Sequence, residues 1–304
     1  MIPTLLVINA KGPLHAVLKN TYYDKIKCVR STEDKGSYNI NDHYILCTRV
    51  SDYKLYNSLP NNIFNNNLEN ISILNNKSLF YKYMLEHFPS NIPTVYYYNH
   101  NDVTYVNPPP LNEKMIFKPN TGYYGSGIKI IYDFDTNRKE MKNASVSKYI
   151  DHTTHYLGHF LVIKGEVLGR TYFQATNPLN YIKQSTITNY KIHETIQYDD
   201  TIYDKVFKSL NYSGFVHTDF VVDNDKLIIF EINPFPSTTF IKEKHYFNKF
   251  IDKILEYVGT PIMYTKDLSF KKSSNNDTPG NSIRADKKGR SFKMCEICNK
   301  KHYL

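Results

Sequence analysis

The stretch Phe215-Val216-His217-Thr218-Asp219-Phe220-Val221-Val222-Asp223-Asn224-Asp225-Lys226-Leu227-Ile228-Ile229-Phe230-Glu231-Ile232-Asn233-Pro234 reads as two apolar strands around a polar turn. The turn formers at 223–225 between apolar runs at 215–222 and 227–232 predict a β-hairpin. Folding the arms back brings Asp219 to within about one register step of Glu231, and period-two alternation puts Glu231 and Asn233 on one face. Two carboxylates and an amide amid apolar neighbours repel and lose hydration unless a cation sits among them. Hard oxygen donors of this kind suit Mg2+, which takes one or two carboxylates and completes its octahedron with phosphate and water. The same residues would also serve as polar strand ends facing solvent, so the hairpin needs an independent partner.

Upstream, Ile116-Phe117-Lys118-Pro119-Asn120-Thr121-Gly122-Tyr123-Tyr124-Gly125-Ser126-Gly127-Ile128 supplies one. A strand ending in Lys, followed by a glycine-bearing loop, lets backbone amides approach phosphate oxygens while the ammonium neutralises their charge. The order is not that of a Walker A loop, and a strand rather than a helix follows the glycines. Read alone, the segment is equally a glycine-rich hairpin with an exposed lysine.

Around these two segments the chain alternates strand and helix signals. Residues 1–75 predict a small α/β lobe, with strands at 4–9, 26–30 and 43–49 and a helix around 14–23, followed by an asparagine-rich surface connection at 60–67. A helix is predicted from Asn76-Lys77-Ser78 to Pro89, opening a lobe at 76–150 with strands at 93–98, 115–118, 128–132 and 146–150. A third lobe, 151–268, holds a hairpin at 155–174 turning at Lys164-Gly165, a helix near 201–210, the hairpin quoted first, and a helix at 246–257. Residues 269–304 are left as a basic tail, with 271–290 too polar to offset the entropy of ordering and read as a flexible linker.

Four features in this order resemble the ATP-grasp superfamily, which includes D-alanine:D-alanine ligases, ribosomal-protein glutamate ligases, glutathione synthetases and biotin carboxylases. They are Asn76-Lys77 opening a helix, Lys118-Pro119 before the glycine loop, the strand Val146-Ser147-Lys148-Tyr149-Ile150, and Asp219 followed by Glu231-Ile232-Asn233. The resemblance, spanning about 75–240, implies an α+β fold in which a small N-terminal α/β lobe precedes two α+β lobes that sandwich ATP. It implies that Lys77 and Lys118 hold the phosphates, that Gly122, Gly125, Ser126 and Gly127 close over them, and that Lys148, Tyr149 and Ile150 meet adenine through backbone groups. It also implies that Asp219, Glu231 and Asn233 ligate one or two Mg2+ ions, or Mn2+ in their place. Arg170, on the outgoing arm of the 155–174 hairpin, is a candidate contact to substrate or to the transferring phosphoryl group, alongside Lys77 and Lys118. The activity implied is ADP-forming ligation of a small carboxylate to an amine through an acylphosphate.

Three departures from the family pattern stand out. Ser147-Lys148 occupies a position where many members carry Glu, His217 stands where ligases often have Arg, and no ribose-binding acid lies in 155–159. Two further readings therefore accompany the ligase: a kinase of the same fold acting on a small polyol or inositol phosphate, and an interaction module that binds nucleotide without turnover. Residues 1–75 hold eight Lys or Arg against six Asp or Glu, too little excess base to favour a polyphosphate substrate.

Of the formal charge of +9, the segment 271–304 carries +6, so the body offers no broad basic groove. Nucleic acid is not expected as a partner beyond weak contact through that tail. In the tail, Cys295, Cys298 and His302 make a three-ligand set for zinc, where a structural site takes four; two free thiols are the plainer reading. No apolar run reaches the ~20 residues of a membrane span, and scattered cysteines without a leader segment suggest reducing cytoplasm. Small-molecule partners are expected, a homo-oligomer is compatible with the sequence, and the acid and the amine carry no decipherable signature.

Overall fold

The computed structural model describes residues 4–8, 12–21, 25–29, 43–47, 62–64, 66–100, 103–121, 126–134, 141–176, 190–259, 283–285, 291–294 and 301–303. They fall into two compact units, Met1–Ile262 and Met263–Leu304.

The first unit begins with β1 (Thr4–Ile8), α1 (Gly12–Thr21), β2 (Ile26–Val29) and β3 (His43–Cys47), a parallel sheet in the order β2-β1-β3. Leu5, Leu6, Val7 and Ile8 are all buried, the unbroken apolar run expected of a strand covered on both faces. Leu14, Val17 and Leu18 give α1 its buried stripe at helical spacing. The Asn-rich connection ends differently from expectation, because Asn67 caps a helix, α2 (Leu68–Asn75), by accepting from Glu69 N. Only Ile71 and Leu74 are buried in it, too sparse a pattern to announce a helix among Asn and Ser.

Asn76 ends α2 and starts α3 (Lys77–His87), its Oδ1 accepting from Ser78 N and Leu79 N at 3.0 and 3.1 Å. The second sheet has β4 (Val95–His100), β5 (Val103–Val106), β6 (Met115–Pro119), β7 (Lys129–Ile131) and β8 (Ala144–Lys148) in the antiparallel order β5-β4-β8-β6-β7. β4 starts two residues later than expected, beyond Pro93, which has no amide for a ladder. β8 starts and stops two residues earlier, entered through Asn143 at φ 59°, so Tyr149 and Ile150 follow the strand rather than lie in it.

The third sheet is built from β9 (Thr154–Ile163), β10 (Glu166–Thr176), β11 (Lys191–His193), β12 (Gly214–Asp223) and β13 (Lys226–Asn233), in the antiparallel order β11-β10-β9-β12-β13. Its two tight turns, Lys164-Gly165 (φ 52° and 80°) and Asn224-Asp225 (φ 48° and 62°), have the left-handed pair that matches strand twist. One face is covered by α4 (Thr201–Ser209), whose Tyr203 and Phe207 rings lie 4.6 and 5.5 Å from Phe160. Against the other lie α5 (Thr238–Lys242) and α6 (Lys244–Tyr257), where Phe240 stacks on His159 and Phe250 meets Gly169. α5 was not foreseen; Ser237 caps it by accepting from Phe240 N.

Within Met263–Leu304, β14 (Ile283–Ala285), β15 (Ser291–Met294) and β16 (Lys301–Tyr303) form an antiparallel sheet. The first of these falls inside the segment expected to lack regular structure, since three residues are too few for a periodic signal. The rest of the expected linker lies outside the described residues, apart from those three. No helix among the described residues is long and apolar enough to cross a membrane.

Candidate active site

Two β-bulges decide which side chains meet. Counting outward from the Asn224-Asp225 turn, an unbroken ladder would set Asp219 opposite Phe230 and turn Glu231 to the other face. The register instead shifts by one residue, so that Asp219 pairs with Glu231 and His217 with Asn233, and all four share a face. The shift leaves Phe230 without a ladder partner, and its carbonyl accepts from Lys118 Nζ at 3.3 Å.

Lys118 is delivered by β6 and is almost fully buried, with Nζ 5.2 Å from the centre of the Phe230 ring. Lys77 occupies the first position of α3, and that end of the helix is tied to β6 just past Lys118. Lys77 N donates to Asn120 O at 3.2 Å, and Ser78 Oγ bonds Asn120 Oδ1 and lies within 3.0 Å of Asn99 O. Asn120 Nδ2 donates to the same Asn99 carbonyl at 2.5 Å. The buried amide thus fixes the spacing between the two ammonium-bearing elements.

Lys77 Nζ stands 3.2 Å from Glu231 Oε2. Burial works against both charges, yet each outweighs it for the other. Attraction to Glu231 and Asp219 raises the Lys77 pKa, and Lys77, Lys118 and a hydrogen bond from Asn233 hold the Glu231 carboxyl well below the usual range. Asn233 Nδ2 donates to Glu231 Oε1 at 2.9 Å and lies 3.1 Å from His217 Nε2. His155, fully buried on β9, places Nε2 3.0 Å from Asp219 Oδ1. Because a carboxylate only accepts, that imidazole nitrogen is the donor.

The structure therefore gathers Lys77, Lys118, Asp219, Glu231 and Asn233 into one constellation. Arg170 is not part of it. From the Lys164-Gly165 turn an unbroken ladder would pair Arg170 with His159, on the face that carries Asp219. A bulge between Val167 and Gly169 pairs it with Phe160 and sends it to the opposite face. There Nη1 bonds Asp200 at 2.7 Å and Nη2 bonds Asp204 at 2.9 and 3.1 Å. Arg170, expected as a contact to substrate or phosphate, forms in this structure a fork onto the start of α4.

Lys148 ends β8, half-exposed, its Nζ 3.5 Å from Glu113. The amides of Lys148 and Tyr149 already donate to Thr94 O and Lys114 O, and Ile150 O faces His152 Nδ1 at 2.7 Å. Gly122 and Gly125 lie outside the described residues. Ser126 and Gly127 are exposed, and Gly127 has φ +76° with the position of a Cβ only 2.8 Å from Pro119 Cγ. Cys295 and Cys298 also lie outside the described residues, and His302 belongs to β16. Sequence reading missed His155 as the donor to Asp219. The signal was the alternation His155-Leu157-His159 along one strand, two polar side chains on a buried face.

Among the described residues no group of three His, Cys, Asp or Glu side chains is arranged to hold a metal. The candidate donors are two carboxylates and an amide, a set that suits a hard cation carrying further oxygen ligands from phosphate and water.

Residues 74–239 match the ATP-grasp domain family, more than half of the chain, and the protein belongs to that family of ATP-dependent enzymes. No curated protein sequence matches it. Its fold is similar to D-alanine–D-alanine ligase from Bacillus anthracis at a TM-score of 0.54 and 16% identity, covering 84% of this chain and 96% of that one. The same ligase complexed with ATP matches with TM-score 0.54, 16% identity and 84% and 97% coverage. L-amino acid ligase from Bacillus licheniformis matches at 0.51, 12% identity, over 80% of this chain and 69% of that one. At these identities the likeness is one of fold.

Proposed function

We propose that this protein is an ADP-forming ligase that activates a small carboxylate as an acylphosphate and joins it to an amine, with Mg-ATP held between the lobes 76–150 and 151–268. The observation that carries this reading is the meeting of Lys77 and Lys118 with Asp219, Glu231 and Asn233.

In phosphoryl transfer, charge gathers on the equatorial oxygens of a loose transition state, so the protein contributes mainly positioning and neutralisation. Two ammonium groups from α3 and β6 would face the triphosphate. Asp219, Glu231 and Asn233 would hold Mg2+, which would supply positive charge to neutralise the phosphates. Gly122, Gly125, Ser126 and Gly127 would cover the phosphates and shield an acylphosphate from water. Lys148, Tyr149 and Ile150 would border the adenine.

The test is an ADP-release screen over paired acids and amines. Release of both ADP and inorganic phosphate that requires both substrates supports the ligase, and Glu231→Gln should abolish it. ADP formed with the phosphoryl group retained on an alcohol would mark a kinase instead. Nucleotide binding without ADP formation on any pair would leave only a binding module.

A further inference from the structure

His217 faces Asn233 across the β12–β13 ladder. Its Nδ1 lies 2.9 Å from the carbonyl oxygen of Phe235, and its Nε2 lies 3.1 Å from Asn233 Nδ2. That same Nδ2 lies 2.9 Å from Glu231 Oε1. The two ends of this chain, a peptide carbonyl and a carboxylate, can only accept. Hydrogen placement between them is therefore forced. Nδ1–H of His217 donates to Phe235, Nε2 accepts one Asn233 amide hydrogen, and Glu231 accepts the other. Both hydrogens of the amide are committed, and Asn233 Oδ1 receives no hydrogen bond from the described residues.

We propose that His217 is a positioning residue for Asn233, holding its amide with nitrogen toward the protein so that Oδ1 remains as the oxygen donor for a divalent cation. This inference rests on the reading of Asp219, Glu231 and Asn233 as the cation set. Glu231 alone orients the amide through a single hydrogen bond, leaving rotation about the Cβ–Cγ bond poorly restrained. The second anchor, itself locked by the Phe235 carbonyl, restrains it at both hydrogens. An asparagine ligand needs such restraint where an aspartate would not, because only one of its two terminal atoms can bind a cation. Phe235 holds His217 twice, through its backbone carbonyl and through its ring, which meets the imidazole edge-on at 5.1 Å.

The experiment is titration of the full-length protein with Mn2+ in the presence of ADP, followed by electron paramagnetic resonance of the free ion. It is run on His217→Phe and His217→Gln, each in the Asn233 and the Asn233→Asp background. His217→Phe keeps a ring but loses both bonds, whereas Gln keeps an acceptor and a donor. Phe is expected to weaken Mn2+ binding about tenfold, roughly 1.4 kcal/mol, and Gln to restore most of it. With Asp at 233 the two oxygens are equivalent, and the effect of Phe should fall below about twofold, the non-additivity expected of residues acting through one another.

A Phe effect of equal size in both backgrounds would mean a general structural role and overturn the proposal. Failure of the unsubstituted protein to bind Mn2+ with ADP would sink the cation-site reading and this inference together. A check independent of any variant is the 15N spectrum of His217. A protonated Nδ1 with an unprotonated Nε2 supports the arrangement; the reverse tautomer overturns it.

Discussion

Lys77 Nζ and Glu231 Oε2 stand 3.2 Å apart, joining the first turn of α3 to the end of β13 with little of either side chain in contact with solvent. The ammonium thus neutralises a carboxylate that the proposed chemistry assigns to a metal ion, and the pair ties α3 to β13.

Removing one partner of a largely buried pair leaves the other desolvated and uncompensated. Lys77→Met and Glu231→Gln are each expected to lower the unfolding free energy of the ligand-free protein by about 2–3 kcal/mol. The double substitution should lose less than the sum by about 1 kcal/mol or more. Urea denaturation measures all three; strictly additive losses would show that the pair contributes nothing to the ligand-free fold.

His159 supplies a pH dependence. It is fully buried, stacked on Phe240 at 4.5 Å and edge-on to Phe173, and neither ring nitrogen has a hydrogen-bond partner among the described residues. Burial, with His217 nearby, pushes its pKa well below the ordinary 6.5. The unfolded chain then binds a proton that the folded chain refuses, so stability is complete above about pH 6.5 and declines as pH falls, by about 1.4 kcal/mol per unit. Burial also lowers the pKa of His152, which adds in the same direction. The depressed Glu231 carboxyl contributes a separate loss, confined to pH below its ordinary 4.5. His159→Phe should flatten the dependence between pH 5 and 6.5 in stability measured by denaturant across that range; an unchanged slope would refute the assignment.

The elements were legible where local chemistry acts alone. Asn76 announces the start of α3, Lys164-Gly165 and Asn224-Asp225 announce the turns, and the apolar runs announce the strands between them. What was not legible was register. Alternation counted from either turn gives the wrong face beyond a bulge; Gly169 is a residue type that accompanies bulges, but nothing about Phe230 marks the other one. The nearness of Asp219 to Glu231 could be read only to within a step, and the face that Arg170 takes could not be read. The helices α2 and α5 escaped for a different reason: both are short, and their buried residues touch elements distant in sequence.

Gly127 is expected to resist substitution. Its φ of +76° is one that L side chains rarely adopt, and an added Cβ would meet Pro119 Cγ at 2.8 Å, beside Lys118. Gly127→Ala should destabilise the protein by about 1–2 kcal/mol and weaken ATP binding, since relief of the clash displaces the residue that follows Lys118. Thermal unfolding and binding of a fluorescent ATP analogue test both. Normal stability with normal affinity would show that the turn accommodates a methyl group at no cost.

Arg170 separates a structural from a catalytic role most directly. Its guanidinium bonds Asp200 and Asp204, and the Tyr172 hydroxyl bonds the same Asp200 carboxylate, so one strand grips the start of α4 with a planar fork. Neither carboxylate can be satisfied equally by a lysine, which offers a point charge instead of paired donors. Both Arg170→Met and Arg170→Lys should therefore lose stability, Met by about 2–3 kcal/mol and Lys by about 1 kcal/mol or more. Because the bulge turns this side chain to the face opposite Asp219 and Glu231, ATP affinity should change less than about threefold, a difference of roughly 0.7 kcal/mol. Denaturant unfolding and nucleotide titration on the same preparations decide between the two roles. A large fall in ATP affinity with stability unchanged would return Arg170 to the nucleotide site and refute the register on which its placement depends.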